Sequence, residues 1–219
     1  MSSNAERHSR AALMDIYKAE KSWDGWNSDA IAIANDLVNI LLQAINSQEP
    51  SVWHPSILPL FPDLPARYLA SATASARQKL DQLEHKITMM NRQIDRMQTA
   101  AESLVKLLPP EGSAAVFVEP LVLGSLTRYA DLTQRTCDAY RDAVNMRTEH
   151  IDELRRTIQG FEMMEGLTER LDSDMQLVKL SSWLHSPGLK SALLLGPTST
   201  LTISDFDDML KFELGIEEI

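Results

Sequence analysis

Residues 80–108 read LDQLEHKITMMNRQIDRMQTAAESLVKLL. Leu80, Leu83, Ile87, Met90, Ile94, Met97, Ala101, Leu104 and Leu108 fall at alternating steps of three and four, with no polar residue among them. Two apolar positions per heptad mark a helix with one stripe sealed against another helix. The spacing predicts a helix from about Ala66 to just before Pro109-Pro110-Glu111-Gly112. At a rise of ~1.5 Å per residue it is roughly 65 Å long.

A second seam follows the proline break. Leu126, Ala130, Thr133, Cys137, Tyr140, Val144, Arg147, Ile151, Leu154, Ile158 and Phe161 keep the same steps, with Thr133 and Arg147 as polar intrusions. Two such helices joined through Pro-Pro-Glu-Gly are expected to fold back on each other. The fold class is therefore all-α: a long antiparallel, coiled-coil-like hairpin of residues 66–108 against about 121–160. Such a seam can also close on a second chain, so the pattern leaves the oligomeric state open.

Upstream, residues 9–22 place Ala11, Ala12, Leu13, Ile16 and Tyr17 on one side of a helix. Trp23-Asp24-Gly25-Trp26-Asn27 reads as a tight turn, because glycine sits between two bulky residues. Asn27 or Ser28 can cap a second helix running to about Asn46, with Asp29 near its positive end and Ile31, Ala34, Val38, Leu41, Leu42 and Ile45 as its stripe. An N-terminal helical pair is thus expected. Residues 49–65 hold five prolines, which rule out a helix there. They also hold Trp53, Ile57, Leu58, Leu60 and Phe61, so the segment is expected to be a loop packed onto the protein.

Downstream, Gly160 and Gly166 disturb the seam, which rotates through Phe161, Met164, Leu167 and Leu171. A further helix carries Leu171, Met175 and Val178 towards His185, and Ser186-Pro187-Gly188 stops it. Residues 196–204 are loop-like. Ser204-x-x-Asp207 has the form of a capping box for a short last helix. Residues 201–219 carry six acids against Lys211, half of the chain's net charge of −10. Three segments result: 1–65, N-terminal helices and packed loop; 66–187, the hairpin and following helix; and 188–219, a short acidic C-terminal segment.

Composition narrows the function. The chain has 219 residues, enough for a real core. Eight glycines and 6% aromatics argue against a many-stranded sandwich or barrel. The net charge opposes direct nucleic-acid binding, since phosphate contact needs a basic face. A single cysteine, Cys137, allows no internal disulfide and fits a reducing compartment. No run of ~18 apolar residues suggests a membrane span, and the polar start does not resemble a signal peptide.

Chemistry-bearing motifs are missing from the sequence: there is no P-loop, dinucleotide glycine pattern, HExxH, CxxC or GxSxG. Glu149-His150 beside Asp152 and Glu153 has weak metal-binding character, with a solvated helix face as the plainer account. Cys137 reads as a buried apolar thiol before it reads as a nucleophile. The expectation is a protein that is not an enzyme and takes no cofactor, metal or small molecule. Two short motifs stand out. Arg67-Tyr68-Leu69 has the R-x-L form of cyclin-docking peptides, and Ser186-Pro187 has the form that cyclin-dependent kinases phosphorylate.

Leu180-Ser181-Ser182-Trp183-Leu184-His185-Ser186-Pro187 resembles the L-S-x-W-L-H-x-P stretch of the cyclin-dependent-kinase-interacting protein (CINP) family. The likeness extends in order and layout over most of the chain. It includes a tryptophan-bearing N-terminal helix (Trp23 or Trp26), a leucine-rich helix over 66–108, and a helix carrying Tyr129, Tyr140, Arg141 and Arg147. Only Trp183, Leu184, His185 and Pro187 are specific, and the acidic tail has no counterpart. The resemblance implies a nuclear adaptor, with a cytoplasmic pool allowed. Its partners would be cyclin-dependent and replication-initiating kinases and an AAA+ ATPase assembly. The implied processes are DNA replication, the cell cycle, the DNA damage checkpoint and ribosome biogenesis.

Partner-binding candidates are Trp183, Leu184, His185 and Pro187, since tryptophan is enriched at interface hot spots, and Phe206, Met209 and Leu210, which share one side of the short acidic helix. Trp183 has a competing place in the protein's own core. The tail has a competing place on helix 66–108, which holds seven Lys/Arg against four Asp/Glu. The alternative function is a structural coiled-coil subunit of another complex, such as a kinetochore or vesicle tether. A helical enzyme or metal-binding bundle stands third.

Overall fold

The computed structural model describes residues 4–108, 126–163, 173–184 and 187. Among them every regular element is helical: α1 (Asn4–Asn46), α2 (Leu64–Val105), α3 (Leu126–Met163), α4 (Ser173–Ser182) and one 3-10 turn, Pro50–Val52. The all-α expectation holds. The Pro109–Gly112 break, residues 196–204, the Ser204 capping box and the acidic tail lie outside the described residues.

The first correction concerns α1. The expected N-terminal pair is a single helix of 43 residues, and Trp23-Asp24-Gly25-Trp26-Asn27 is part of it. Packing explains why the helix continues. Trp23, Asn27 and Ala30 are buried while Gly25 is exposed on the outer side with open space around it. A mid-helix glycine costs ~1 kcal/mol relative to alanine. Burying a large apolar side chain returns ~1.5–3 kcal/mol. The buried stripe steps Ala12, Ile16, Ala19, Trp23 and resumes as Asn27, Ala30, Ala34, Leu37, Leu41, Ala44. The step from Trp23 to Asn27 is a four-residue stutter in an otherwise regular heptad run. Asn27 therefore does not open a second N-terminal helix and faces inward.

The chain divides into two compact units. The first contains α1 up to Gly25, α2 from Met90 and α3 up to Ala143. Its core holds Leu13, Ile16 and Trp23 from α1, Met90, Ile94, Met97 and Leu104 from α2, and Tyr129, Cys137 and Tyr140 from α3. Trp23 and Tyr140 meet edge to face, ring centres 4.7 Å apart. Arg141 reaches Gln98 across α3 and α2 at 3.5 Å.

The second unit contains α1 from Trp26, the proline-rich loop, α2 up to Met89, α3 from Val144 and α4. Ion pairs fix its register. Lys79 binds Asp36 and, one heptad along α2, Lys86 binds Asp29, one heptad back along α1, both at 2.7 Å. Arg77 pairs with Glu162, and one heptad on Glu84 pairs with Arg155 at 2.6 Å. A step forward on α2 is thus matched by a step backward on α1 and on α3. Both packings are antiparallel, so the expected hairpin of α2 and α3 is present. These partners are partly exposed and contribute little individually. They report alignment, while the buried stripes supply the stability.

Both seams are buried. On α2 every seam residue from Leu80 to Leu104 is in the core, and Leu108 is half-buried just beyond the helix. On α3 the seam is buried from Ala130 to Phe161, with Thr133 and Arg147 included. Gly160 stays within the helix. α1 contains one stretch long and apolar enough to cross a membrane. About a third of that stretch is buried within the protein, with Ala34, Leu37, Leu41 and Ala44 among the buried residues of the helix.

A second correction concerns the proline-rich loop. Trp53 does pack: its Nε1 donates to the Ser47 carbonyl at 2.8 Å, and its ring meets Tyr68 edge-on at 6.0 Å. The other apolar residues largely do not. Leu60 is 73% exposed, Phe61 61% and Val52 60%, and Ile57 is also exposed. Leu58 is half-buried.

Candidate partner-binding site

The inward arginine on the second seam organises the C-terminal part of the second unit. Arg147 is fully buried. Its Nε donates to Asn27 Oδ1 at 3.0 Å and its Nη2 donates to the Trp183 carbonyl at 2.9 Å. Asn27 Nδ2 donates to the same carbonyl at 3.0 Å. That carbonyl belongs to the residue just past α4, where a helix leaves acceptors unsatisfied. The cluster thus serves as a tertiary cap. The Trp183 ring closes over it, with the guanidinium carbon 5.5 Å from the ring centre and the His150 ring edge-on at 5.5 Å. Burial lowers the Arg147 pKa to about 10, which leaves the group charged at neutral pH.

One turn along α3, His150 Nε2 is hydrogen-bonded to Gln176 of α4. Its Nδ1 is buried with no partner among the described residues. Gln176 Nε2 also donates to Glu153 at 2.9 Å, and Glu153 takes Lys179 as an ion-pair partner. Burial pushes the His150 pKa down, outweighing the Gln176 hydrogen bond and the opposed effects of Lys179 and Glu153. For Glu153, burial pushes upward, but the bonds from Lys179 and Gln176 bring the carboxyl below its usual range. The Glu149-His150-Asp152-Glu153 run is therefore divided: Glu149 is exposed, Asp152 pairs with Arg155, and His150 and Glu153 hold α4. Among the described residues no group of three His, Cys, Asp or Glu could hold a metal ion.

The structure places the sequence candidates as follows. Trp183 is 1% exposed and lies in the core, whereas Leu184 next to it is 67% exposed. Pro187 is half-buried. His185, Phe206, Met209 and Leu210 lie outside the described residues. Arg67-Tyr68-Leu69 is helical: Arg67 pairs with Asp63, the Tyr68 hydroxyl lies 3.4 Å from Gln43, and Leu69 is half-buried. Cys137 is fully buried, and burial together with Asp138 raises its thiol to about 11. Sequence reasoning missed the exposure of Val52, Leu60 and Phe61; the neighbouring prolines limit helix but do not set which way these side chains turn.

Compared with family models, curated proteins and solved structures, the chain matches none. The functional reading accordingly rests on the geometry above and on the sequence resemblance at 180–187.

Proposed function

We propose that this chain is a non-catalytic adaptor, a helical frame that presents the proline-rich loop to a protein partner. The observation that carries the reading is the exposure of Val52, Leu60 and Phe61 on a loop pinned by Trp53. Clustered exposed apolar side chains are typical of protein-binding surfaces. Prolines lower the entropy lost when such a loop docks. The sequence resemblance supports a nuclear setting, with AAA+ ATPase subunits and cyclin-dependent or replication kinases as partners. In this reading the buried polar groups of the second unit maintain the frame and perform no chemistry.

The test is affinity capture with the full chain and with a Leu60→Asp/Phe61→Asp variant. The proposal expects AAA+ ATPase subunits or the kinases to be captured by the native chain and lost from the variant at unchanged melting temperature. Capture of kinetochore or tether components instead would establish the structural-subunit alternative. Equal capture by both chains would remove the loop from the interface.

A further inference from the structure

Within the first unit, α1 and α2 leave an open groove of about 720 Å³. Its floor is short-chained: Ala11, Ala12, Ala19 and Ala100, with Leu107 at one end. Alanines hold the wall back, so the trough has room for another element. Its rim is basic, with His8, Lys18, Arg96 and Lys106 against Asp15 alone. Elsewhere on α2 the cations Arg77, Lys79 and Lys86 are spent in ion pairs. Lys18, Arg96 and Lys106 have no ion-pair partner among the described residues.

We propose that this groove is the docking site of the chain's own acidic segment, residues 201–219. Two observations commit the groove to that occupant. The first is charge: Asp205, Asp207, Asp208, Glu213, Glu217 and Glu218 oppose Lys211 alone, the inverse of the rim. The second is shape. Phe206, Met209 and Leu210 recur at helix spacing, which gives one apolar side narrow enough for an alanine floor. A helix from Ser204 to Gly215 extends roughly 18 Å, close to the roughly 21 Å from His8 to Ser22 along α1. Tethering on the same chain places the segment at an effective concentration of order millimolar, so modest contacts suffice. The groove is distinct from the proline-rich loop, and this inference stands independently of the adaptor reading.

The experiment is zero-length carbodiimide cross-linking of the purified full chain, prepared as an equal mixture of unlabelled and 15N-labelled protein. Docking predicts cross-links from Lys18 or Lys106 to the carboxylates of 201–219, all within one isotope label. Arg96→Glu should reduce them roughly three- to tenfold, the loss expected when one rim charge is reversed. Phe206→Asp/Met209→Asp should do the same without touching either lysine. Hydrogen exchange at 8–22 and 96–107 should rise in both variants. Mixed-label cross-links would assign the groove to a second copy's tail and overturn docking within the chain. Cross-links confined to Lys79 or Lys86, or none at all, would overturn it outright.

Discussion

Asn27 and Arg147 lie 120 residues apart in sequence and converge on one atom, the carbonyl oxygen of Trp183. They also bond to each other, Nε to Oδ1, at 3.0 Å. The arrangement predicts energetic coupling. Asn27→Leu strips a buried guanidinium of an acceptor and should cost about 2–4 kcal/mol. Arg147→Leu leaves Asn27 Oδ1 short of a donor and should cost about 1–3 kcal/mol. In the double variant no charge is left stranded, so the loss should fall below the sum by about 0.5–3 kcal/mol. Urea unfolding of the four proteins measures this. Strict additivity would show that the pair does not act together.

Gly25→Ala discriminates one helix from two. On an exposed, continuous helical turn with open space around the new methyl group, the substitution should stabilise by about 0.5–1 kcal/mol. In a tight turn that required glycine it would destabilise instead. A lower melting temperature for Gly25→Ala would restore the helical pair.

Ile94→Ala tests the seam. Ile94 is buried between Met90 and Met97 positions that are also buried. Deleting three carbons there should cost about 2–5 kcal/mol. A melting temperature that does not move would show the stripe to be solvated.

The contrast between these sites shows what the sequence made legible. The α2 stripe could be read because every member is apolar and the steps never falter. α1 was misread because glycine between tryptophans matched a turn signal, while Trp23 and Asn27 in fact extend the inward stripe. The stutter between them hid that continuity. Arg147 was visible as an intrusion, but its principal acceptor at α4 is a backbone carbonyl, which no side-chain identity announces. Although Pro50–Val52 forms a 3-10 turn and Pro65 lies in the first turn of α2, the loop prolines kept the stretch between them from forming a continuous α-helix. They could not say whether Leu60 and Phe61 turned inward, because direction depends on where Trp53 pins the chain.

Cys137 should behave as an inert core thiol. With its pKa raised to about 11, thiolate is scarce at neutral pH and access is closed. A disulfide reagent should label it in the native protein far more slowly than in about 6 M guanidinium, at a rate that follows unfolding. Rapid stoichiometric labelling of the native chain would contradict its burial.

The attachment of α4 should weaken on acidification, and His150 is the group responsible. Burial holds its pKa below the ordinary 6.5 in the folded protein. Protons therefore bind the unfolded chain first as pH drops past 6.5, and stability is lost from there down to the lower native pKa. The groups facing His150 are Glu153 on its own helix, Gln176 and Lys179 on α4, and the charged Arg147 across the Trp183 ring. Lys179 opposes protonation and Glu153 favours it, so the two partly offset each other. Glu153, with its pKa lowered, stabilises above its ordinary range and loses that contribution only at more acidic pH. The two effects are thus separated in pH. His150→Phe keeps an aromatic ring against Trp183 and removes the titration. Native protein should show a falling melting temperature between about pH 7 and about pH 5.5, accompanied by faster hydrogen exchange in α4, whereas the variant should be flat across that window. A slope that persists in His150→Phe would assign the acid sensitivity to another group.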